Sequence, residues 1–203
     1  VMPPLLVRQG QPESGSHQKL SLKKIARLSK PAIIGCMVSG ITMGTIYGLM
    51  PLSLKKDQFT TDQVGVLMAS IILGGMLIQP VVSKLSVLMS KTLLLAMVSL
   101  LGVFAMGVIY ISSDYLVMIV ALALLGMSTF ALYPVAITLA CDNLDSSYIV
   151  AATQVMLFSY SIGSAMGPIA AGTFLGQHNG LVNFFFIVLL VTAIYMLIAS
   201  LRR

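Results

Sequence analysis

The stretch 40–52, GITMGTIYGLMPL, carries three glycines spaced four residues apart: Gly40, Gly44 and Gly48. A glycine inside a helix of a water-soluble protein costs about 1 kcal/mol relative to alanine. The four-residue spacing places all three glycines on one face of a helix. Such a face is useful where two helices approach closely, and whether it stabilises the protein depends on the solvent around those helices.

The composition identifies that solvent as lipid. Of the 203 residues, 58% are hydrophobic and only 9% are charged. Soluble domains contain about 25% charged residues, so this chain has too few to cover a surface in water. Six apolar stretches reach the ~20 residues that a helix needs to cross a bilayer. We therefore predict an all-α integral membrane bundle of six transmembrane helices, at residues 32–51, 63–83, 92–112, 115–140, 149–175 and 182–201.

The basic residues predict the orientation of these spans. On the side of the termini, six precede the first span, two follow the second and two close the chain, whereas the opposite side has only Lys55 and Lys56. The positive-inside rule therefore places both termini in the cytoplasm. Charge that is distributed beside spans, without interleaved aromatic residues, argues against nucleic-acid binding. Residues 1–30 form a basic leader, in which 19–30 is either a short helix on the inner leaflet or a solvated linker.

In lipid, the glycine face predicts contact with another helix, because small residues let transmembrane helices pack closely. The fifth span repeats the pattern with Gly163 and Gly167, followed by Pro168. Static packing and the sliding of one helix along another both select small residues, and the sequence does not separate them. Pro134 in the fourth span predicts a kink, since proline removes a backbone hydrogen bond and clashes one turn back.

The polar residues within the spans are neutral: no Asp, Glu, Lys, Arg or His lies in the middle of any span. We predict that four of them line a solute cavity: Tyr47, Tyr133, Gln154 and Tyr160. The alternative for each is an interhelical hydrogen bond. Other neutral candidates at this depth are Ser70, Gln79, Thr138 and Ser161. The spans lack an HExxH motif, a pair of buried aspartates and a base beside a serine, so we predict no enzyme, metal site or cofactor.

Four stretches carry a likeness to a known family. They are AIIGCMVSGITMGTIYGLMPLSL (32–54), QVGVLMASIILGGMLIQPVVSKL (63–85), FALYPVAITLAC (130–141) and SYSIGSAMGP (159–168). Together they resemble the C-terminal half of a major facilitator superfamily (MFS) transporter, with the closest likeness to the bacterial YcaD-like branch. The resemblance covers about residues 31–201 in order, and YGLMPL and LYPVA are its more specific parts.

The resemblance implies a bacterial inner-membrane protein with two six-helix halves around a central cavity, and each half would contain two three-helix repeats. Residues 31–203 would be one half and residues 1–30 the cytoplasmic linker before it. Spans one, two, four and five would face the cavity or the other half, with spans three and six outside. Transport of a small-molecule solute would proceed by alternating access. The implied partners are the lipid bilayer, the solute and an N-terminal six-helix half.

One departure from the family concerns the cytoplasmic motif between the second and third helices of a half, approximately G-x-L-x-D-R-x-G-R. Residues 83–91 read SKLSVLMSK here. Leu85 and the closing base Lys91 remain. The changed positions are Ser83 and Ser90 in place of glycine, Val87 in place of the aspartate and Leu88 in place of the base that follows it, with Lys84 at a free position. An ion pair of Lys84 or Lys91 with Asp142 or Asp145 is a possible substitute for the lost aspartate.

A second departure is that only one half is present. We expect a fragment, a split-gene product completed by an upstream piece, or two copies that pair. The function predicted from the resemblance is solute transport, secondary active or facilitative, to which this chain supplies the C-terminal half. The alternative is a non-transporting membrane subunit or the inactive remnant of a split transporter gene.

Overall fold

A computed structural model of the chain describes residues 29–112, 114–142 and 144–202. These residues form six helices: α1 Lys30–Lys56, α2 Thr61–Leu88, α3 Lys91–Ile111, α4 Tyr115–Cys141, α5 Ser146–Gly172 and α6 Gly180–Leu201. All six are long and apolar enough to cross a membrane, which confirms the predicted six-span, all-α fold. Most of the basic leader lies outside the described residues, so a helix over 19–30 stays a prediction.

Hydrogen bonds that backbone N–H groups donate to polar side chains define where α2 and α3 begin. At the start of α2 the Gln63 backbone N–H donates to Thr60 Oγ1 over 3.3 Å, and the Thr60 N–H donates to Gln63 Oε1 over 2.9 Å. This reciprocal pair satisfies two backbone donors that the first helical turn leaves free. At the start of α3, the Leu93 N–H donates to Ser90 Oγ over 3.2 Å. The two helices therefore have fixed starting points on opposite sides of the bundle.

Three helix ends differ from the predicted spans. α1 continues through Pro51 to Lys56, because transmembrane helices tolerate proline where neighbouring groups satisfy the backbone. α2 continues to Leu88, so most of the stretch 83–91 is helical and only Met89 and Ser90 separate α2 from α3. α5 ends at Gly172 rather than at 175, and turns occupy the residues before α6.

The helices pack in a pattern that relates the first three to the last three. The most extensive contacts are between α1 and α5. If α1, α2 and α3 are exchanged for α4, α5 and α6 in that order, this pair becomes α4 with α2, which also pack extensively. The third helix of each set, α3 and α6, pack on each other, and α1 and α4 also touch. Exchanging α1–α3 for α4–α6 therefore preserves these contacts, whereas α3 also packs extensively on α4 and the counterpart of that pair, α6 with α1, makes only a small contact.

Glycines set the spacing of both exchanged pairs. A Cβ at Gly40 or Gly44 would overlap the α5 backbone at Tyr160 or Ser164, respectively. In return, Gly163 and Gly167 of α5 lie against the α1 backbone at Met37 and Ile41. The α2–α4 pair uses the same arrangement, with Gly74 against Ala123 and Gly126 against Ile71. The backbones thus touch without intervening side chains, which is how small residues stabilise helix pairs in lipid.

Large apolar side chains remain exposed on the outside of the bundle. On α3 they include Phe104, and on α6 they include Val191. α5 is the least covered helix, with 22% of its most hydrophobic stretch buried against 56% for α1. Its uncovered apolar side chains include Leu157, Phe158 and Met166. In a bilayer such surfaces face acyl chains or another membrane protein.

Candidate solute cavity

Four helices surround an open cavity of about 390 Å³ on one side of the bundle. Its lining is contributed by α1, α2, α4 and α5, the helices that form the two exchanged pairs, and consists of Ser39, Met43, Tyr47, Gln79, Phe130, Tyr133, Pro134, Leu157 and Tyr160. No charged residue is part of this lining. The cavity volume lies within the ~300–1,000 Å³ typical of small-molecule sites.

The structure brings together three of the four side chains that we predicted for a solute cavity. The Tyr133 and Tyr160 rings meet edge to face, with centroids 5.1 Å apart and an interplanar angle of 61°. Tyr47 lines the same cavity and is 55% exposed. Within the described part of the chain, no hydrogen bond is made by any of the three hydroxyl groups. The phenols can therefore exchange hydrogen bonds with a bound molecule, while their rings offer flat apolar contact.

Gln154 is not part of this lining, and its assignment to a solute cavity stays a prediction. Its side chain is exposed on α5, on the same uncovered face as Phe158 and Ser161. Sequence reasoning also left Gln79 out of the four selected residues, whereas the structure places it in the lining on α2. Its position directly before Pro80, in an apolar span, is a sequence signal by which Gln79 could have been selected.

The two prolines that we singled out both lie inside helices, and one of them lines the cavity. Pro134 of α4 is part of the lining, one residue after Tyr133. Pro168 lies inside α5 and packs on Gly48 of α1, where an added Cβ would be 3.4 Å from the proline ring. Gly48 therefore has ordinary room for a methyl group, unlike Gly40 and Gly44.

A second cavity, of about 620 Å³, opens on the side of the bundle opposite the termini. Its floor is apolar, and its rim carries Asp57 at the end of α1 and His178 before α6. Burial raises the pKa of the Asp57 carboxyl, and nearby His178 and Lys56 lower it by a smaller amount. The Lys56 ammonium donates to the Leu175 backbone oxygen over 2.7 Å. This cavity is lined mainly by α1, α3, α4 and α6 and contains none of the predicted tyrosines, so we place the candidate solute site in the first cavity.

Comparison with known sequences decides the family. The sequence model of the Major Facilitator Superfamily matches residues 32–203. The chain belongs to this superfamily. It is 32% identical to the uncharacterized MFS-type transporter YcaD of Escherichia coli (strain K12 / DH10B), over all of this chain and 52% of the relative. It is 31% identical to an uncharacterized MFS-type transporter of Enterobacter sp. (strain 638), with the same coverage. The chain thus spans about half the length of these MFS relatives.

The altered MFS motif at 83–91 lies beside an ion pair. Lys91 Nζ, at the start of α3, is 2.6 Å from Asp142 Oδ2, at the end of α4. Of the substitutes that the sequence offered for the lost aspartate, this pairing is the one present among the described residues. Lys84 is exposed on α2 and makes no ion pair there. The Lys91–Asp142 pair ties α3 to α4 on the side of the termini.

Proposed function

We propose that this chain forms the C-terminal half of an MFS solute transporter. The observation that carries the proposal is the open, uncharged cavity lined by α1, α2, α4 and α5. An opening on one side of a helical bundle, lined by tyrosine and glutamine, suits a solute held between this bundle and a facing one. Membership in the superfamily points in the same direction and does not favour a non-transporting subunit or an inactive remnant.

The facing bundle is an N-terminal six-helix half, from the same gene or from a separate chain. The MFS relatives are about twice as long as this chain, which leaves room for six more helices. The uncovered apolar side chains of α5 and α2, such as Phe158 and Leu77, supply a surface for such a partner. Alternating access would then rock the two halves about the cavity.

The solute class follows from the cavity lining. Without a charged side chain, the cavity offers phenol and amide groups for hydrogen bonds and aromatic rings for apolar contact. We therefore expect a neutral or amphipathic solute rather than a strongly charged one. Coupling ions, if used, would bind to groups outside this lining.

The proposed location is the inner membrane of a bacterium, with both termini in the cytoplasm. The support is the excess of basic residues on the side of the termini. Reporter fusions test the orientation. A fluorescent protein fused after Arg203 should fluoresce and alkaline phosphatase at the same point should be inactive, whereas both results should reverse for fusions after Asp57. Active phosphatase after Arg203 would contradict the orientation.

Uptake into proteoliposomes tests the function. The chain is reconstituted together with its six-helix partner, and labelled neutral solutes are screened with and without a proton gradient. For a transported solute, Tyr133→Ala with Tyr160→Ala should lower uptake at least about tenfold, the equivalent of ~1.4 kcal/mol of lost binding. Tyr110→Ala is the matched control, because Tyr110 is 49% exposed on α3, away from the cavity. Unchanged uptake in the double variant would contradict the assignment of this cavity.

A further inference from the structure

Pro134 leaves a backbone oxygen of α4 without its usual partner. In a regular helix the N–H of residue 134 would donate to the oxygen of Phe130, four residues earlier, and proline has no N–H. An unpaired backbone oxygen is costly where it faces hydrocarbon, and where it lines a cavity it can accept from water, a solute or a neighbouring side chain. The oxygen of Phe130 is therefore free to accept from a donor outside the α4 backbone.

The donor is the side chain of Gln79, on a different helix. Gln79 Nε2 donates to the Phe130 oxygen over 3.3 Å and to the Gly75 oxygen, on its own helix, also over 3.3 Å. The first bond joins α2 to α4 at the position where Pro134 interrupts the α4 ladder. A side-chain amide thus takes the place of the missing backbone donor.

Gly75 brings the two helices close enough for this contact. A Cβ at Gly75 would overlap the ring of Phe130, so only glycine lets α2 lie directly on that ring. Gln79 follows one turn later on the same face, and its side chain therefore starts close to the Phe130 backbone. Gly74, against the α4 backbone at Ala123, holds the same approach one residue earlier.

The two backbone bonds also fix which way the amide points. Both partners of Gln79 are carbonyl oxygens, which accept only, so the NH₂ group must face them. An NH₂ group has two hydrogens, and both are used. The amide oxygen has no hydrogen-bond partner among the described residues, and Gln79 belongs to the cavity lining beside Pro134 and Tyr133.

We propose that Gln79 is a positioning residue that replaces the backbone hydrogen bond lost at Pro134 and thereby holds its amide oxygen as a fixed acceptor for a solute hydroxyl or amine. The first part concerns the α2–α4 contact alone. The second part rests on the proposed transport function, because it assigns the oxygen to solute recognition.

A double-mutant cycle on the full-length chain in detergent tests the first part without any solute. Gln79→Ala should lower the apparent melting temperature by roughly 2–4 °C. In a Pro134→Ala background the N–H of residue 134 again serves Phe130, so the same change should have little effect. In a Pro168→Ala background, which is the matched proline control, Gln79→Ala should keep its full effect. Equal losses in the Pro134→Ala background and in the wild type would overturn the proposal.

A second pair of variants tests the same contact without altering the proline. Gln79→Met keeps the length of the side chain and removes its hydrogen bonds, and should lower the melting temperature. Gln154→Met is the matched control, because Gln154 is exposed on α5 and makes no hydrogen bond within the described segments. An unchanged melting temperature for Gln79→Met would also overturn the proposal. This comparison still decides if the Pro134→Ala variant does not fold, because it leaves the proline in place.

The acceptor role is read from uptake of neutral solutes in the same proteoliposome screen. Gln79→Met should lower uptake of a neutral solute that carries hydroxyl donors at least about tenfold and leave that of its O-methylated analogue nearly unchanged. Equal losses for both would leave Gln79 with no role in recognition and overturn the second part. If no solute is transported by the wild-type chain and its partner, the proposed function and this acceptor role fail together, while the melting-temperature result stands by itself.

Discussion

Gly40 and Gly107 show that two glycines in similar helices can have opposite roles. A Cβ at Gly40 would overlap the backbone oxygen of Tyr160 on α5. A Cβ at Gly107, in α3, would meet nothing within 4 Å. The first glycine makes a helix contact possible, whereas the second only removes a side chain from the surface.

Alanine substitutions at these two positions should therefore have effects of opposite sign. Gly40→Ala should destabilise the chain by about 1–3 kcal/mol, because α1 and α5 must move apart. Gly107→Ala should be neutral or stabilise by up to about 1 kcal/mol through higher helix propensity. Thermal unfolding in detergent measures both. A Gly40→Ala variant as stable as Gly107→Ala would contradict the close α1–α5 contact.

Asp57 gives a pH dependence whose sign follows from its surroundings. Burial raises the pKa of its carboxyl in the folded chain, while the unfolded value is about 3.9. The folded state therefore binds the proton more tightly, so this group stabilises the fold below pH ~3.9, and that contribution is lost as the pH rises through the folded pKa. Asp57→Asn should flatten the pH dependence of the melting temperature just above pH ~4. Asp62→Asn, on the same side in the first turn of α2, is the control, and a steeper dependence in Asp57→Asn would contradict the assignment.

The helices of this bundle follow from local composition, but their ends and rotations do not. Six apolar stretches predicted six helices, and the structure has them. α2 continues beyond its predicted end because the segment that includes Leu85, Val87 and Leu88 has no glycine or proline to stop the helix. The chain leaves the helix only just before Ser90, which caps α3. Hydropathy does not locate the end of α2, because the charge of Lys84 lowers the local hydropathy as a loop would.

The rotation of α5 explains why Gln154, unlike Tyr160, is not part of the cavity lining within this bundle. Gly163 faces α1, and Gln154 precedes it by nine residues, or about two and a half helical turns. Gln154 must therefore point away from α1, as observed, whereas Tyr160 lies near the contact and reaches the cavity. Polarity alone selected both residues, and only the position of each relative to the glycine contact separates them.

The Lys91–Asp142 pair links the ends of α3 and α4, and its contribution should be modest. Both side chains are partly exposed, with 20% and 37% of their surface accessible, and exposed pairs contribute about 0–1 kcal/mol. Lys91→Glu should lower the melting temperature slightly, and adding Asp142→Lys should restore it. The loss should shrink in high salt. Lys84→Glu is the matched control, and an equal loss there would contradict a specific pair.

The bundle has two kinds of exposed surface, and the exposed fraction of a side chain does not tell them apart. Tyr47 lies in the cavity and is 55% exposed, and Phe104 lies on the outer face of α3 and is 63% exposed. In water both would be hydrated. In the proposed transporter, the first faces an aqueous solute route and the second faces acyl chains. A transporter half requires both surfaces, one that faces lipid and one that faces the solute route, and no single residue provides them.

Thiol labelling in native membranes tests this distinction most directly. Cys36 and Cys141 are replaced by alanine, and either Tyr47→Cys or Phe104→Cys is introduced in the chain produced with its partner half. A membrane-impermeant maleimide, added to both sides of the membrane, should label the cysteine at position 47 and leave the more exposed position 104 unlabelled. Labelling of position 104 as fast as position 47, or no labelling at position 47, would contradict the assignment of one face to lipid and the other to a solute cavity.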